Sequence, residues 1–72
     1  MRTIKRYEGY FDGLLCYEWE VKQRNQNDFV FLVNGCSCHT SQDLGSAMWR
    51  LWDSIKDFLI NEDPKKINIK GV

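Results

Sequence analysis

The chain predicts an α+β fold: an antiparallel sheet of three to five strands packed on one long α-helix in the C-terminal half, in the order β-β-β-(β)-α-β. Three observations carry this. Asp12-Gly13 and Asn34-Gly35 each sit between runs of strand length, and such pairs supply the positive φ angles of two-residue hairpin turns. Leu44, Met48, Leu51, Trp52, Ile55, Phe58 and Leu59 repeat with the helical period, with Ala47 beside them. The single proline, Pro64, closes that segment ahead of a short alternating tail.

The first hairpin spans Thr3–Lys22. On ideal pairing about Asp12-Gly13, Leu15, Tyr17, Trp19 and Val21 share a face with Tyr10 and Ile4. Arg6 and Glu8 fall on that face too, which fits a core poorly. A bulge near Gly9 would re-aim the first strand. Gln23–Asp28 is a polar loop. Asp28–Val33 (DFVFLV) is an apolar run rich in β-branched and aromatic residues, and it reads as a strand. About Asn34-Gly35, Phe29, Phe31 and Val33 share a face with Cys36 and Cys38, while Val30, Leu32 and His39 take the other.

Thr40-x-x-Asp43 resembles a capping box, with Ser41 a rival cap, so the helix is expected to begin there. Gly45 costs about 1 kcal/mol against Ala in a helix interior, and its place near the apolar stripe predicts close backbone approach. Lys65–Lys70 (KKINIK) alternates and reads as a short strand, at a sheet edge or against another copy.

Seventy-two residues make a single small domain, 1–72, near the size at which one core supplies only about 3–5 kcal/mol. No apolar run approaches the length of about 20 needed to cross a bilayer. The basic N-terminus lacks the apolar segment of a secretory signal. Three cysteines are too few for a disulfide scaffold, so free thiols and a cytoplasmic location are expected, the host cytoplasm if the chain is phage-encoded. Net charge is zero, which argues against a bulk polyanion binder. The distribution is uneven: residues 7–64 hold four basic side chains against all ten acidic ones. If the two basic ends pair in space, a positive edge meets an acidic body, a pattern suited to a protein partner.

Candidate chemistry concentrates in Val33–Asp43 (VNGCSCHTSQD). Cys36, Cys38 and His39, with Cys16, are zinc-type ligands. Cysteines one residue apart on a strand share a face about 7 Å apart, however, and His39 then points away. Cys36 and Cys38 are accordingly read as small hydrophobes lining the core face, and no metal or cofactor is assigned. The usual redox spacing, Cys-x-x-Cys at a helix start, is missing. His39 is the only imidazole, and no nucleophile elbow or phosphate loop accompanies it. No catalytic residue is assigned and the chain is read as a non-enzyme.

Two binding surfaces remain. Around the helix, at about 100° per residue, Trp49 and Ile60 lie off the apolar stripe and Trp52 bridges the two. Tryptophan is enriched at interface hot spots. The expected partner-binding set is Trp49, Trp52, Arg50, Asp53, Lys56 and Ile60, facing an unidentified protein, with the chain itself a homodimer. The alternative is a small nucleic-acid-binding domain that uses Arg2, Lys5, Arg6, Tyr7 and Tyr10 on the first strand together with the Lys65–Lys70 tail.

The layout of strands followed by a Ser/Thr-led helix is similar to that of many small, unrelated domains. Toxin–antitoxin partners and accessory proteins of bacteriophages are among them, as fold-level analogy. With low Ala and abundant Asn, Lys and Ile, this implies a phage or mobile-element accessory protein that inhibits a host protein by stoichiometric binding.

Overall fold

A computed structural model describes residues 1–72. Its elements are β1 (Arg2–Phe11), β2 (Leu14–Asn25), β3 (Asp28–Val33), β4 (Cys36–Ser41), α1 (Leu44–Asn61) and β5 (Ile67–Gly71). All strand pairs are antiparallel, in the order β4-β3-β2-β1-β5. The helix covers one face, as the sequence predicts. The two Asx-Gly hairpin turns each place two consecutive residues at positive φ: Asp12 at 54° and Gly13 at 80°, Asn34 at 52° and Gly35 at 82°. That is the backbone of a type I′ turn, whose twist matches the strands it joins. Asn34 also closes open backbone groups on β2, accepting from the Glu18 amide at 2.8 Å.

Bulges decide which side chains meet the helix. Between β1 and β2 the register moves from Gly9↔Tyr17 to Tyr10↔Leu15, leaving Cys16 unpaired, and from Thr3↔Lys22 to Lys5↔Val21, leaving Ile4 unpaired. The bulge expected near Gly9 is therefore present, with its extra residue on β2. Its effect is to turn Tyr7 opposite Trp19 and to send Arg6 and Glu8 to the outer face. Tyr10 and Leu15, expected on the core face, pair on the outer one instead. Phe11 takes the place at the helix side, beside Ile67 and Ile69.

The second hairpin carries a bulge the sequence reading lacks. Phe31 pairs with His39 and Leu32 with Ser37, so Cys38 is the extra residue. This brings His39 to the helix side with Phe31, not to the far face with Val30 and Leu32. Cys36 and Cys38 do not line the core; β4 is an outer strand, and all three cysteines are exposed.

The helix begins later than Thr40. Thr40 and Ser41 finish β4, and Asp43 is the N-cap, accepting from the amides of Gly45 at 2.9 Å and Ser46 at 3.3 Å. A carboxylate there satisfies two otherwise free amide donors and complements the helix dipole. Ser41 accepts instead from the Asp43 amide. Ala47, Leu51, Ile55 and Phe58 are the buried helix residues. They centre about 45° from the expected stripe, at about 100° per residue, which leaves Trp52 and Leu59 exposed; Leu44, the first residue of the helix, is exposed as well. Gly45 does not receive a close backbone: the nearest atom to a Cβ built there is the Asp43 Oδ1, at 3.1 Å.

The core joins these four to Trp19, Val21, Phe29 and Phe31. Trp19 lies across Gly9, where an added Cβ would sit 2.6 Å from the indole Cζ3 and 3.2 Å from Phe58. Tyr17 stacks on Trp19 with centroids 5.5 Å apart and meets the edge of Phe58 at 5.2 Å. The glycine thus opens a slot in which the largest core side chain lies flat on the sheet, an arrangement that covers strand glycines with aromatic surface.

Candidate docking surface on the helix flank

The rotation of α1 sets the site. Because the buried stripe lies farther from Trp49 than periodicity alone indicates, the whole opposite flank faces outward. Trp49 is 63% exposed, Ile60 67% and Trp52 47%. Strand β5 pairs with β1 at the sheet edge, and does not fold over Trp49. Trp52 rests one side of its indole on Tyr7, with centroids 5.0 Å apart, so that ring is anchored while its other side stays open. Trp49, Trp52, Asp53 and Lys56 line one shallow groove.

The predicted set is therefore partly divided. Trp49, Trp52, Asp53, Lys56 and Ile60 share the outward flank. Arg50 turns toward β4, where it lines a groove with Phe31, Val33, Cys38, His39 and helix residues Asp53, Ser54 and Asp57. Missing from the predicted set were Leu59 and Tyr7. Leu59 had the period of a core residue, and only the helix's actual rotation distinguishes it. Tyr7 joins the site through the bulges of the first hairpin.

The zinc-type ligands do not converge. No three His, Cys, Asp or Glu side chains lie close enough together to hold a metal ion. Cys16 and Cys38, both bulge residues, each turn the thiol toward the carbonyl two residues earlier, at 3.5 Å. A further groove joins His39 to Ser46, Trp49 and Arg50, and none of these carries a partner arrangement of nucleophile and base.

The basic ends do come together. Pairing of β1 with β5 sets Glu8 opposite Lys70. Lys5, Lys66 and Lys70 lie 5.9, 5.8 and 5.2 Å from the ring centroids of Tyr7, Phe11 and Tyr10 respectively. The first strand does not form a single stacking platform, however, because Tyr7 faces the helix and Tyr10 the outer side. On that outer face Arg6 lies 3.6 Å from Glu8 and 3.5 Å from Glu18. Tyr10 donates to Glu8 at 2.9 Å. That hydrogen bond, then desolvation and the Glu8 and Glu18 charges, holds the phenol above its ordinary pKa. Arg2 donates to Gln23.

No helix of the protein is long and apolar enough to cross a membrane. Comparison with protein-family models, with curated proteins and with solved structures finds no match to this chain.

Proposed function

We propose that the chain is a small non-enzymatic protein-binding module that acts by stoichiometric contact through the solvent flank of α1, self-association being part of that behaviour. One observation carries the reading: Trp49, Trp52, Leu59 and Ile60 expose apolar surface on a single helix flank, with Asp53 and Lys56 set among them. Contiguous apolar surface rimmed by charge marks interaction sites in soluble domains, and a tryptophan flanked by both charge signs suits an amphipathic helix of a partner. The mode of action proposed is blockade of a host protein, in the manner of an accessory protein of a phage or mobile element, in the host cytoplasm.

The test is capture of binding proteins from host lysate by the tagged chain, by Trp49→Ala and by Ile60→Asp, with circular dichroism on all three. A partner held by the wild type at fixed ratio and lost with both folded variants supports the reading. Identical capture by all three removes it.

A second reading, nucleic-acid contact, draws on the pairing of β5 with β1, which gathers Lys5, Lys65, Lys66 and Lys70 at one edge of the sheet. Anisotropy of labelled single- and double-stranded oligonucleotides decides it. Phosphate contacts are strongest at low salt, so absence of binding there eliminates this reading.

A further inference from the structure

The outward positions of α1 fall at Gly45, Trp49, Trp52, Lys56 and Ile60, spaced 4, 3, 4 and 4 residues apart. The first three steps follow the seam of a two-helix pairing, and the last carries it one residue further round the helix. Together with Asp53 they centre about 155° from the buried stripe at about 100° per residue, so a second helix can lie along them without touching either sheet.

The seam is also complementary to itself when reversed. With a two-fold axis passing between Trp52 and Asp53, Gly45 falls opposite Ile60, Trp49 opposite Lys56, and Trp52 opposite Asp53 of a second copy. The smallest seam residue meets the large aliphatic one, and the cation meets the exposed indole face, a favourable contact. Along the paired helices Lys56 stands about 6 Å from the level of the other copy's Asp53, and the two Asp53 carboxylates, which flank the axis, lie between the two Lys56 ammonium groups. Inside one chain these groups are unused: neither Asp53 nor Lys56 belongs to any ion pair. Nothing in the fold packs where a Gly45 side chain would stand except the capping carboxylate. An unrelated partner would give no reason for size and charge to match under one reversal.

We propose that a second copy of this chain occupies the flank, with the two α1 helices antiparallel about an axis between Trp52 and Asp53. The inference rests on the reading of the flank as a docking surface and names its occupant. A closed two-fold contact of this kind is the commonest way for identical chains to associate. The product is a four-layer sheet–helix–helix–sheet particle in which Trp49 and Ile60 are covered. Self-pairing and capture of another protein then draw on the same side chains and exclude one another.

Sedimentation over a range of concentrations tests this, beginning from the 8.6 kDa chain. The wild type should move from that mass toward twice it. Trp49→Ala should raise the dissociation constant at least about 30-fold, as loss of a hot-spot tryptophan does. Lys56→Glu should weaken pairing about tenfold or more, because it removes the cation from the face of the other copy's Trp49 and adds a third and fourth carboxylate beside the two Asp53 groups at the axis. Asp53→Lys combined with Lys56→Glu restores opposite charges around the axis and should recover part of that loss, the contact of the cation with Trp49 staying absent. Because these side chains are exposed, unchanged dichroism separates lost pairing from lost folding.

Direction is read by cross-linking, with Cys16, Cys36 and Cys38 replaced by serine. A short bifunctional reagent should join chains bearing Asp53→Cys, near the axis. It should not join Ile60→Cys chains, whose sulfurs stand about 22 Å apart along the antiparallel helices at 1.5 Å per residue. Efficient joining through Ile60→Cys, or a dimer indifferent to both Trp49→Ala and Lys56→Glu, overturns the proposal. A chain that stays monomeric yet captures another protein through Trp49 overturns the second copy and keeps the docking surface. A monomer with no Trp49-dependent capture removes both.

Discussion

The indole N–H of Trp19, in the centre of the sheet, donates to the hydroxyl of Ser54 on α1 at 3.0 Å. It is the only hydrogen bond between a sheet residue and a helix residue; the fully buried side chains of that interface are apolar. Trp19 is 1% exposed, so its donor has no water to turn to. Ser54→Ala should therefore cost about 1–3 kcal/mol, the penalty of a buried donor left unpaired. At about 4–8 °C per kcal/mol for a domain of this size, thermal melting followed by dichroism resolves it. Trp19→Phe in the Ser54→Ala background should add less than it does alone, because the polar partner is already gone.

Gly9 is expected to be the least replaceable glycine outside the turns. Alanine there would press into the Trp19 and Phe58 rings, and overpacking of a tight core costs about 1–3 kcal/mol. Gly9→Ala should lower the denaturant midpoint, and Trp19 fluorescence should report the displaced ring. An unchanged midpoint would show that the indole shifts freely and that the slot is not fixed.

The helix start should give an acid-sensitive contribution to stability. Hydrogen bonds from the Ser46 hydroxyl first, and then from the Gly45 and Ser46 amides, hold the Asp43 carboxyl below the ordinary value for an aspartate. A group with a depressed folded pKa binds fewer protons folded than unfolded. Its contribution is fully present above the unfolded aspartate value, about 3.9, and is lost as pH falls through the lower folded one. Asp43→Asn keeps an acceptor for the cap, so its melting temperature should fall less steeply on acidification than that of the wild type. Parallel pH profiles for the two chains would contradict this origin.

The three thiols should all react with a disulfide reagent in the absence of denaturant, since each is exposed. Replacing all three by serine should change stability by no more than about 0.5 kcal/mol per site, the usual range for surface positions. A thiol that reacts only after unfolding, or a markedly destabilised triple variant, would place that cysteine in the core after all.

Much of the fold was legible because local chemistry dictates it. Asp12-Gly13 and Asn34-Gly35 can hold two successive positive φ angles at little cost, and that alone fixes both hairpins. The helix and its termination at Pro64 follow from period and punctuation. Faces were harder to read. One unpaired residue, Cys16, reverses the orientation of everything beyond it on the paired strand, because side chains alternate with period two. It exchanged Tyr10 for Tyr7 at the core, and Cys38 did the same to His39. Gly9 announces the first bulge but not that its extra residue falls on the partner strand, and no residue type announces the bulge at Cys38. Likewise eight apolar helix positions, Ala47 among them, spread over a wide arc, and only the sheet selects four of them. Trp49 was recognisable as surplus to the core from angle alone, whereas Leu44 and Leu59 were not.

The placement of β5 beside β1 bears on the order in which the molecule assembles. Everything from β1 to α1 joins neighbours in sequence, through three tight turns and one short connection. Strand β5 must return across nearly the whole chain to reach Arg6–Phe11, a closure that is slow relative to local hairpins. It is also short, and it contributes only Ile67 and Ile69 to the apolar packing. Strand β5 is thus the last piece to dock and the first to peel away. Each such opening bares the backbone of β1 along Tyr7–Phe11, giving the folded molecule a transient free edge at its basic side.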